Sequence, residues 1–292
     1  MIFVRYYTII NDCGYNFRTI IMRKIVVVAR DIIAVAAIGV VANLLSSALM
    51  SLFTIIDNEI RFTISYVLAM SLMLAGVCLY NRFVAHGTER IMVRLSGFNP
   101  ATLLWGLVLI VALSIVLAPL MRLLPEVRTN VPTGLISMLC VVVVAPIFEE
   151  VLFRGKIFSV FSATLSPLLS ALASALLFGV MHGNVAVALE AFVVGIVLSY
   201  IYILKGSIFA PILLHIMNNI VAYVMMIFKY QERTIEDFIG DLPIFSTIYI
   251  VSAVVVLLGA IHVGYIFVKA NRVVANGGEL IAVSRGEPTS NK

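Results

Sequence analysis

The chain has 292 residues, of which 62% are hydrophobic and only 12% charged, and its mean hydropathy is +1.11. A soluble domain of this length could not bury so much apolar surface, so the composition excludes a soluble protein and indicates an integral membrane protein. The net charge of +5 fits basic residues at the membrane edges and gives no case for a nucleic-acid partner.

Eight apolar stretches follow one another along the chain, and each is a candidate membrane-crossing helix. A crossing needs about 20 apolar residues, and the fifth stretch is short by this measure. We therefore predict an all-α, polytopic membrane helix bundle with about eight transmembrane helices. In chain order the stretches are Ile32–Ile56, Phe62–Val84, Thr102–Leu124, Thr133–Phe161, Leu168–His182, Val185–Leu204, Ile208–Phe228 and Phe245–Val268.

The basic residues predict how this bundle is oriented. If the N-terminus is cytoplasmic, fifteen of the 20 Lys and Arg residues fall on the cytoplasmic side, as the positive-inside rule requires. We expect residues 1–24 to be a polar cytoplasmic lead-in, because they lack the apolar core and cleavage site of a signal peptide. Residues 25–270 then form one transmembrane domain and 271–292 a cytoplasmic tail, so that both termini face the cytoplasm of a cell membrane.

Three cysteines, Cys13, Cys78 and Cys140, stand far apart in the chain. This spacing argues against a disulfide framework and against a thiolate zinc site. Cys140 falls in the fourth stretch, where we expect a buried apolar thiol. A cysteine nucleophile near the histidines is the alternative.

The fourth stretch carries two adjacent glutamates, Glu149 and Glu150, followed by Arg154. A charged side chain inside a bilayer costs about 2.5–3.5 kcal/mol on insertion scales, so such residues are rare and usually functional. Glu150 and Arg154 are four residues apart with the acid first, which favours an ion pair. Because successive helical residues point about 100° apart, we expect Glu149 to be left comparatively free to face a cavity.

The fifth and seventh stretches add imidazole and amide groups, whereas the first three stretches bring few polar groups. Phe178 lies one turn before His182, and His215 and Asn219 share one face of the seventh helix. Taken alone, each pair is compatible with polar packing between transmembrane helices. Together with a carboxylate they are the parts of an amide hydrolase. A carboxylate in apolar surroundings can accept a proton from water, and His and Asn can stabilise an oxyanion.

Three motifs in this region resemble the signatures of a known protease family. The motifs are Glu149-Glu150-x-x-x-Arg154, Phe178-x-x-x-His182 and His215-x-x-x-Asn219. Their order and separation are similar to those of the CPBP family, the CAAX-processing and bacteriocin-processing membrane proteases that are also called Abi proteins. The resemblance covers about residues 130–230.

The resemblance implies an intramembrane glutamic endopeptidase without a cofactor. By motif position, Glu149 and His182 would activate a water molecule, and His215 and Asn219 would form the oxyanion hole. The supporting residues would be Glu150, Arg154 and Phe178. The implied partners are membrane lipid and a peptide or protein substrate, which within the family is a prenylated CAAX protein, a bacteriocin leader or a peptide pheromone. The sequence makes no prediction of the oligomeric state.

Two alternatives stay open at this point. A zinc hydrolase would use His182, His215 and a glutamate as ligands, although there is no His-Glu-x-x-His helix and Asn219 is a poor zinc ligand. A non-catalytic bacteriocin-immunity or scaffold protein would keep the polar residues for packing or partner binding.

The predicted site requires a particular arrangement of the fourth and fifth helices. Glu149 and His182 can meet only if the fourth helix runs on to about Phe161 and the fifth begins within the bilayer or tilts. Gly183 and Asn184 would then form an internal bend, which is tolerated at such depth where it is buried or lines a watery cavity.

Overall fold

The computed structural model describes residues 2–87, 99–121, 123–124, 131–228 and 242–276. For residues 2–18, 20 and 242 it describes the backbone and not the side chain. Within these ranges the chain is helical and has no strand. In chain order the helices are α1 (Ile2–Ser51), α2 (Asn58–Ala85), α3 (Pro100–Met121), α4 (Leu135–Ser162), α5 (Pro167–Val180), α6 (Val185–Lys205), α7 (Phe209–Ile227) and α8 (Leu242–Ala275).

Seven of these eight helices are long and apolar enough to cross a membrane, and α5, with 14 residues, is shorter. The prediction of an all-α polytopic bundle with a short fifth helix is therefore confirmed. In α1 the part apolar enough to cross is Ile21–Ser51, and the predicted lead-in is continuous with it as helical backbone. Residues 277–292 of the predicted tail and the side chain of Cys13 lie outside the described residues.

Helices α4 and α5 form a hairpin that brings Glu149 of the first motif and His182 of the second to a similar depth in the bundle. The 13 residues from Glu149 to Ser162 cover about 20 Å at 1.5 Å per residue, and α5 returns over a similar length. As expected from the sequence, α4 continues past Phe161. His182, just beyond the end of α5, is thereby returned to the level of Glu149.

The bend after α5 is made by the residues that the sequence indicates. Gly183 has a φ of +71°, a left-handed conformation that glycine adopts without steric cost. The side chain of Asn184 then accepts a hydrogen bond from the Ala186 amide at 2.9 Å and caps the first turn of α6. The turn is tight, so α5 and α6 pack against each other directly.

Small residues allow α5 and α6 to approach closely. A Cβ atom at Gly195 on α6 would lie 3.0 Å from the Cβ of Ala175 on α5. A Cβ at Gly179 on α5 would lie only 2.5 Å from the main-chain oxygen of Ala188 on α6. Close backbone approach at small residues is a common way to hold membrane helices together. The carbonyl of Gly195 also accepts a hydrogen bond from Arg154, as described below, so this packing positions the site.

Replacing Gly179 with alanine should destabilise the bundle by about 1–3 kcal/mol, the usual cost of overpacking a filled interior. The added methyl group would meet main chain, which cannot rotate away as a side chain can. Thermal unfolding in detergent would measure the change. The matched control is Gly264→Ala on α8, where an added Cβ meets nothing within 4 Å; its effect should be within about 0.5 kcal/mol. Equal stability of the two variants would contradict this account of the α5–α6 contact.

Candidate active site

The two glutamates lie in α4 between two wide, π-helical turns. These turns span Cys140–Val144 and Val151–Ile157, and Glu149 and Glu150 end the regular segment that separates them. π-Helical turns are uncommon and occur frequently at functional sites. They change the directions in which the side chains of this part of α4 point.

Side chains from neighbouring helices bind main-chain carbonyls in both wide turns. The Nδ2 of Asn219 on α7 donates to the carbonyl of Val141 at 3.0 Å. The hydroxyl of Ser174 on α5 donates to the carbonyl of Phe153 at 2.8 Å. Insertion of a side chain into the helical hydrogen-bond ladder is a recognised cause of such irregular turns. Helices α5 and α7 therefore fix the stretch of α4 that carries the glutamates.

Arg154 is buried and holds three helices together. Its Nη1 donates to Glu150 Oε1 at 2.9 Å, so the ion pair predicted from the spacing is present. Its Nη2 donates to the carbonyl of Gly195 on α6 at 2.9 Å. The guanidinium carbon also lies 4.9 Å from the centre of the Phe178 ring on α5, a cation–π contact. The arginine links the acidic pair to α5 and α6.

His215 on α7 connects the two glutamates. Its Nδ1 lies 2.8 Å from Glu150 Oε1, and because an ionised carboxylate only accepts hydrogen bonds, Nδ1 is the donor. Its Nε2 lies 3.5 Å from Glu149 Oε2. The spacing in the sequence predicted only Arg154 as a partner of Glu150. The structure adds His215, which shares the same carboxylate oxygen.

Glu149 differs from Glu150 in exposure and in partners. Its side chain is 14% exposed, whereas that of Glu150 is fully buried. The hydroxyl of Tyr66 on α2 donates to Glu149 Oε1 at 2.6 Å. Glu149 is thus the more exposed of the two, as expected, but it is not free of partners, because a phenol holds one of its oxygens. The first three stretches carry few polar groups, and α2 nevertheless supplies this phenol.

Phe178 lies between the two histidines. Its ring packs edge-on against His182, with ring centres 4.8 Å apart, and against His215 at 5.7 Å. The carbonyl of Phe178 accepts a hydrogen bond from Nδ1 of His182 at 2.7 Å, so Nε2 is the nitrogen left for other chemistry. Within the described residues, the imidazole that comes within 4 Å of Glu149 is that of His215. A joint action of Glu149 and His182 on water stays a prediction.

All seven residues singled out from the sequence thus lie in one region. Six of them form a cluster that is connected through direct contacts: Glu149, Glu150, Arg154, Phe178, His182 and His215. The seventh, Asn219, binds the Val141 carbonyl one turn along α7 from His215. Sequence reasoning did not identify Tyr66, nor the carbonyl of Gly195 as an acceptor for the arginine.

The cysteine and zinc alternatives can be compared with this geometry. Cys140 is buried, as expected for an apolar thiol. Within the part of the chain that the structure describes, no group of three or more His, Cys, Asp or Glu side chains is arranged to hold a metal ion. The Nδ1 atoms of His182 and His215 are both engaged with protein oxygens. Such contacts at Nδ1 leave the Nε2 atoms for other partners, so the absence of a cofactor stays a prediction.

The segment that contains this cluster has relatives among known proteases. Residues 131–221 match the Rce1-like type II CAAX prenyl endopeptidases. All seven predicted residues lie in this Rce1-like segment. The match confirms the resemblance inferred from the three motifs and supports an intramembrane endopeptidase in general.

A relative of the chain is an uncharacterized 24.3 kDa protein of Escherichia coli. The two are 34% identical over 91 residues, which are 30% of this chain and 42% of that protein. The chain therefore spans less than half the length of this relative. No solved structure matches the chain. The Rce1-like segment is the part of the sequence on which the functional inference rests.

Proposed function

We propose that the chain is an intramembrane endopeptidase in which Glu149 accepts a proton from water. The difference between two adjacent carboxylates supports this proposal most directly. Glu150 is fully buried and binds Arg154 and His215, which suits a structural partner. Glu149 is partly exposed, is held by a neutral phenol and has its second oxygen beside an imidazole. A positioned carboxylate of this kind suits a general base.

The proposed reaction needs only the residues of the cluster and a water molecule. Glu149, assisted by His182, takes one proton from water, and the oxygen adds to the carbonyl carbon of the scissile peptide bond. His215, with Asn219, stabilises the resulting oxyanion. The tetrahedral intermediate then collapses, the C–N bond breaks, and the proton held by Glu149 goes to the leaving amine.

The proposed substrate is a membrane-associated peptide or protein, because the cluster lies within apolar helices. A prenylated CAAX protein, a bacteriocin leader and a peptide pheromone all fit this description. We further propose that the bundle lies in a cell membrane with both termini in the cytoplasm, as the distribution of basic residues indicates.

Comparative membrane proteomics would test this function and identify the substrate. Cells that carry wild-type protein are compared with cells that carry Glu149→Ala, and an uncleaved precursor should accumulate in the variant. Glu190→Ala is the control, because Glu190 is an acidic residue on α6 outside the cluster. Identical precursor levels in all three strains, at equal amounts of protein, would favour the non-catalytic immunity or scaffold function.

Removal of metal ions should leave the activity unchanged. The proposed reaction draws its base and its oxyanion donors from side chains alone. The test is cleavage of the accumulated precursor by purified protein after dialysis against a strong chelator such as 1,10-phenanthroline. A loss of cleavage that added zinc restores would instead support a metal-dependent hydrolase.

A further inference from the structure

Helix α2, which lies outside the Rce1-like segment, follows α4 along much of its length. Three hydrogen bonds join the two helices, and their order along α2 is the same as their order along α4. The helices are therefore parallel, and the bond from Tyr66 to Glu149 lies between the other two. The contacts are Glu59 Oε1 with the Ser137 amide at 2.8 Å, Tyr66 with Glu149 at 2.6 Å, and Asn81 with Ser159 at 3.2 Å.

The backbone of α2 is also fixed at the residue before Tyr66. The hydroxyl of Ser46 on α1, which is fully buried, donates to the carbonyl of Ser65 at 2.6 Å and lies 3.0 Å from the Ser65 hydroxyl. Contacts to α1 on one side and to α4 on the other hold this turn of α2. The phenol of Tyr66 is consequently presented to Glu149 by an anchored helix.

We propose that Tyr66 is a positioning residue for Glu149, an inference that rests on the proposed function. The phenol donates to Oε1, which leaves Oε2 directed toward His215 Nε2 and toward the water to be activated. The last torsion of a glutamate side chain is otherwise broad. A neutral donor restricts that torsion without cancelling the negative charge that the base needs. An arginine in the same place would bind more strongly but would remove that charge.

Tyr66 acts in this scheme without touching the substrate. Its effect is to hold the carboxylate in the orientation from which proton transfer is efficient, and misplacement by about 1 Å can cost about 100-fold in rate. The site is therefore completed by α2, and the 131–221 segment alone lacks this donor.

The test is Tyr66→Phe in the full chain, purified and reconstituted in lipid vesicles, with kcat and KM measured on the accumulated precursor. We expect kcat to fall on the order of tenfold, because the carboxylate loses one charge-assisted hydrogen bond. KM should stay close to that of the wild type, because the phenol does not bind the substrate.

Tyr80→Phe is a closely matched control. Tyr80 is on the same helix, and its hydroxyl also donates to a carboxylate at 2.6 Å, that of Asp31. The change removes the same atom and the same kind of bond away from the cluster, so kcat should stay at the wild-type value. A second measurement uses fluorinated tyrosine at position 66, which changes the acidity of the phenol with little change in shape. We expect kcat to vary with that acidity at position 66 and not at position 80.

The outcomes separate the inference from the proposed function. If Glu149→Gln is inactive while Tyr66→Phe keeps the wild-type kcat, the positioning role is wrong and the protease function stands. If Glu149→Gln is also active, the proposed function itself fails. An equal fall in kcat for Tyr66→Phe and Tyr80→Phe would mean that both phenols only stabilise the fold, and would overturn the inference. If Tyr66→Phe does not fold, the fluorinated variants decide. A kcat that does not change with fluorination at position 66 would overturn the positioning role.

Discussion

Glu149→Gln is expected to lower the rate of precursor cleavage on the order of 10³-fold, within the range that a general base contributes. Glutamine has the shape of glutamate, and its carbonyl oxygen can still accept the hydrogen bond from Tyr66. It cannot take a proton from water. The variant should therefore fold and enter the membrane as the wild type does, yet lack activity. The measurement is kcat of the purified protein in lipid vesicles.

The control for this prediction is Glu190→Gln. It also converts an acid to an amide on a membrane-crossing helix, but Glu190 is on α6 near Ile110 and Ser114 of α3, away from the cluster. This variant should keep the wild-type kcat. Turnover by Glu149→Gln at a rate close to that of the control would show that Glu149 is not the base.

Arg154→Met should have the largest effect on stability, about 3–5 kcal/mol, which is the usual cost of breaking a buried ion pair. Methionine fills much of the same space but leaves Glu150 fully buried without its cation. The Gly195 carbonyl and the Phe178 ring lose their partner as well. Thermal unfolding in detergent, together with the yield of membrane-inserted protein, measures the loss.

Two further variants show whether the unpaired charge is the cause. Arg272→Met removes an exposed arginine from the last turn of α8, and its effect should be within about 0.5 kcal/mol. The double variant Glu150→Gln/Arg154→Met should recover part of the stability, since no uncompensated carboxylate is left. If Arg154→Met is as stable as the wild type, the buried ion pair does not stabilise the fold as we expect.

The helices could be predicted from the sequence because lipid imposes a simple constraint. Main-chain groups in a bilayer must be satisfied within the segment, so long apolar runs become helices. Apolar residues alone do not mark where a helix goes beyond the membrane core. The first helix runs from Ile2 to Ser51, so it begins well before the predicted stretch Ile32–Ile56 and ends before that stretch does. The fifth helix could be recognised as short from the length of its apolar stretch, and its ends carry local signals: Ser166 caps it, Pro167 is its first residue, and Gly183-Asn184 follows it.

The ion pair between Glu150 and Arg154 could be predicted because its two residues are close in the sequence. Glu150 and Arg154 are one helical turn apart, so spacing alone places them together. The Tyr66–Glu149 bond joins residues 83 positions apart and has no local pattern. A weaker signal for it does exist. Glu59, Tyr66, Met73 and Tyr80 recur every seven residues and share one face of α2, where polar groups are otherwise scarce.

The wide turns of α4 have sequence signals that were not used: Pro146 lies two residues after the first turn, and Gly155 lies within the second. The stretch from Val141 to Val144 is a run of four valines, which does not favour a wide turn by itself. The turn instead coincides with a contact made in three dimensions, from Asn219 on α7 to the Val141 carbonyl. Contacts of this kind depend on how the helices pack, which the order of residues in one helix does not specify.

The most direct test of the central claim is cleavage of the accumulated precursor by the purified chain in lipid vesicles, in water labelled with oxygen-18 and with metals chelated. If Glu149 activates water, the wild type cuts the precursor and the label appears in the new C-terminal carboxylate, while Glu149→Gln yields no product. A precursor left intact by the wild type, or cut equally well by Glu149→Gln, would contradict the claim.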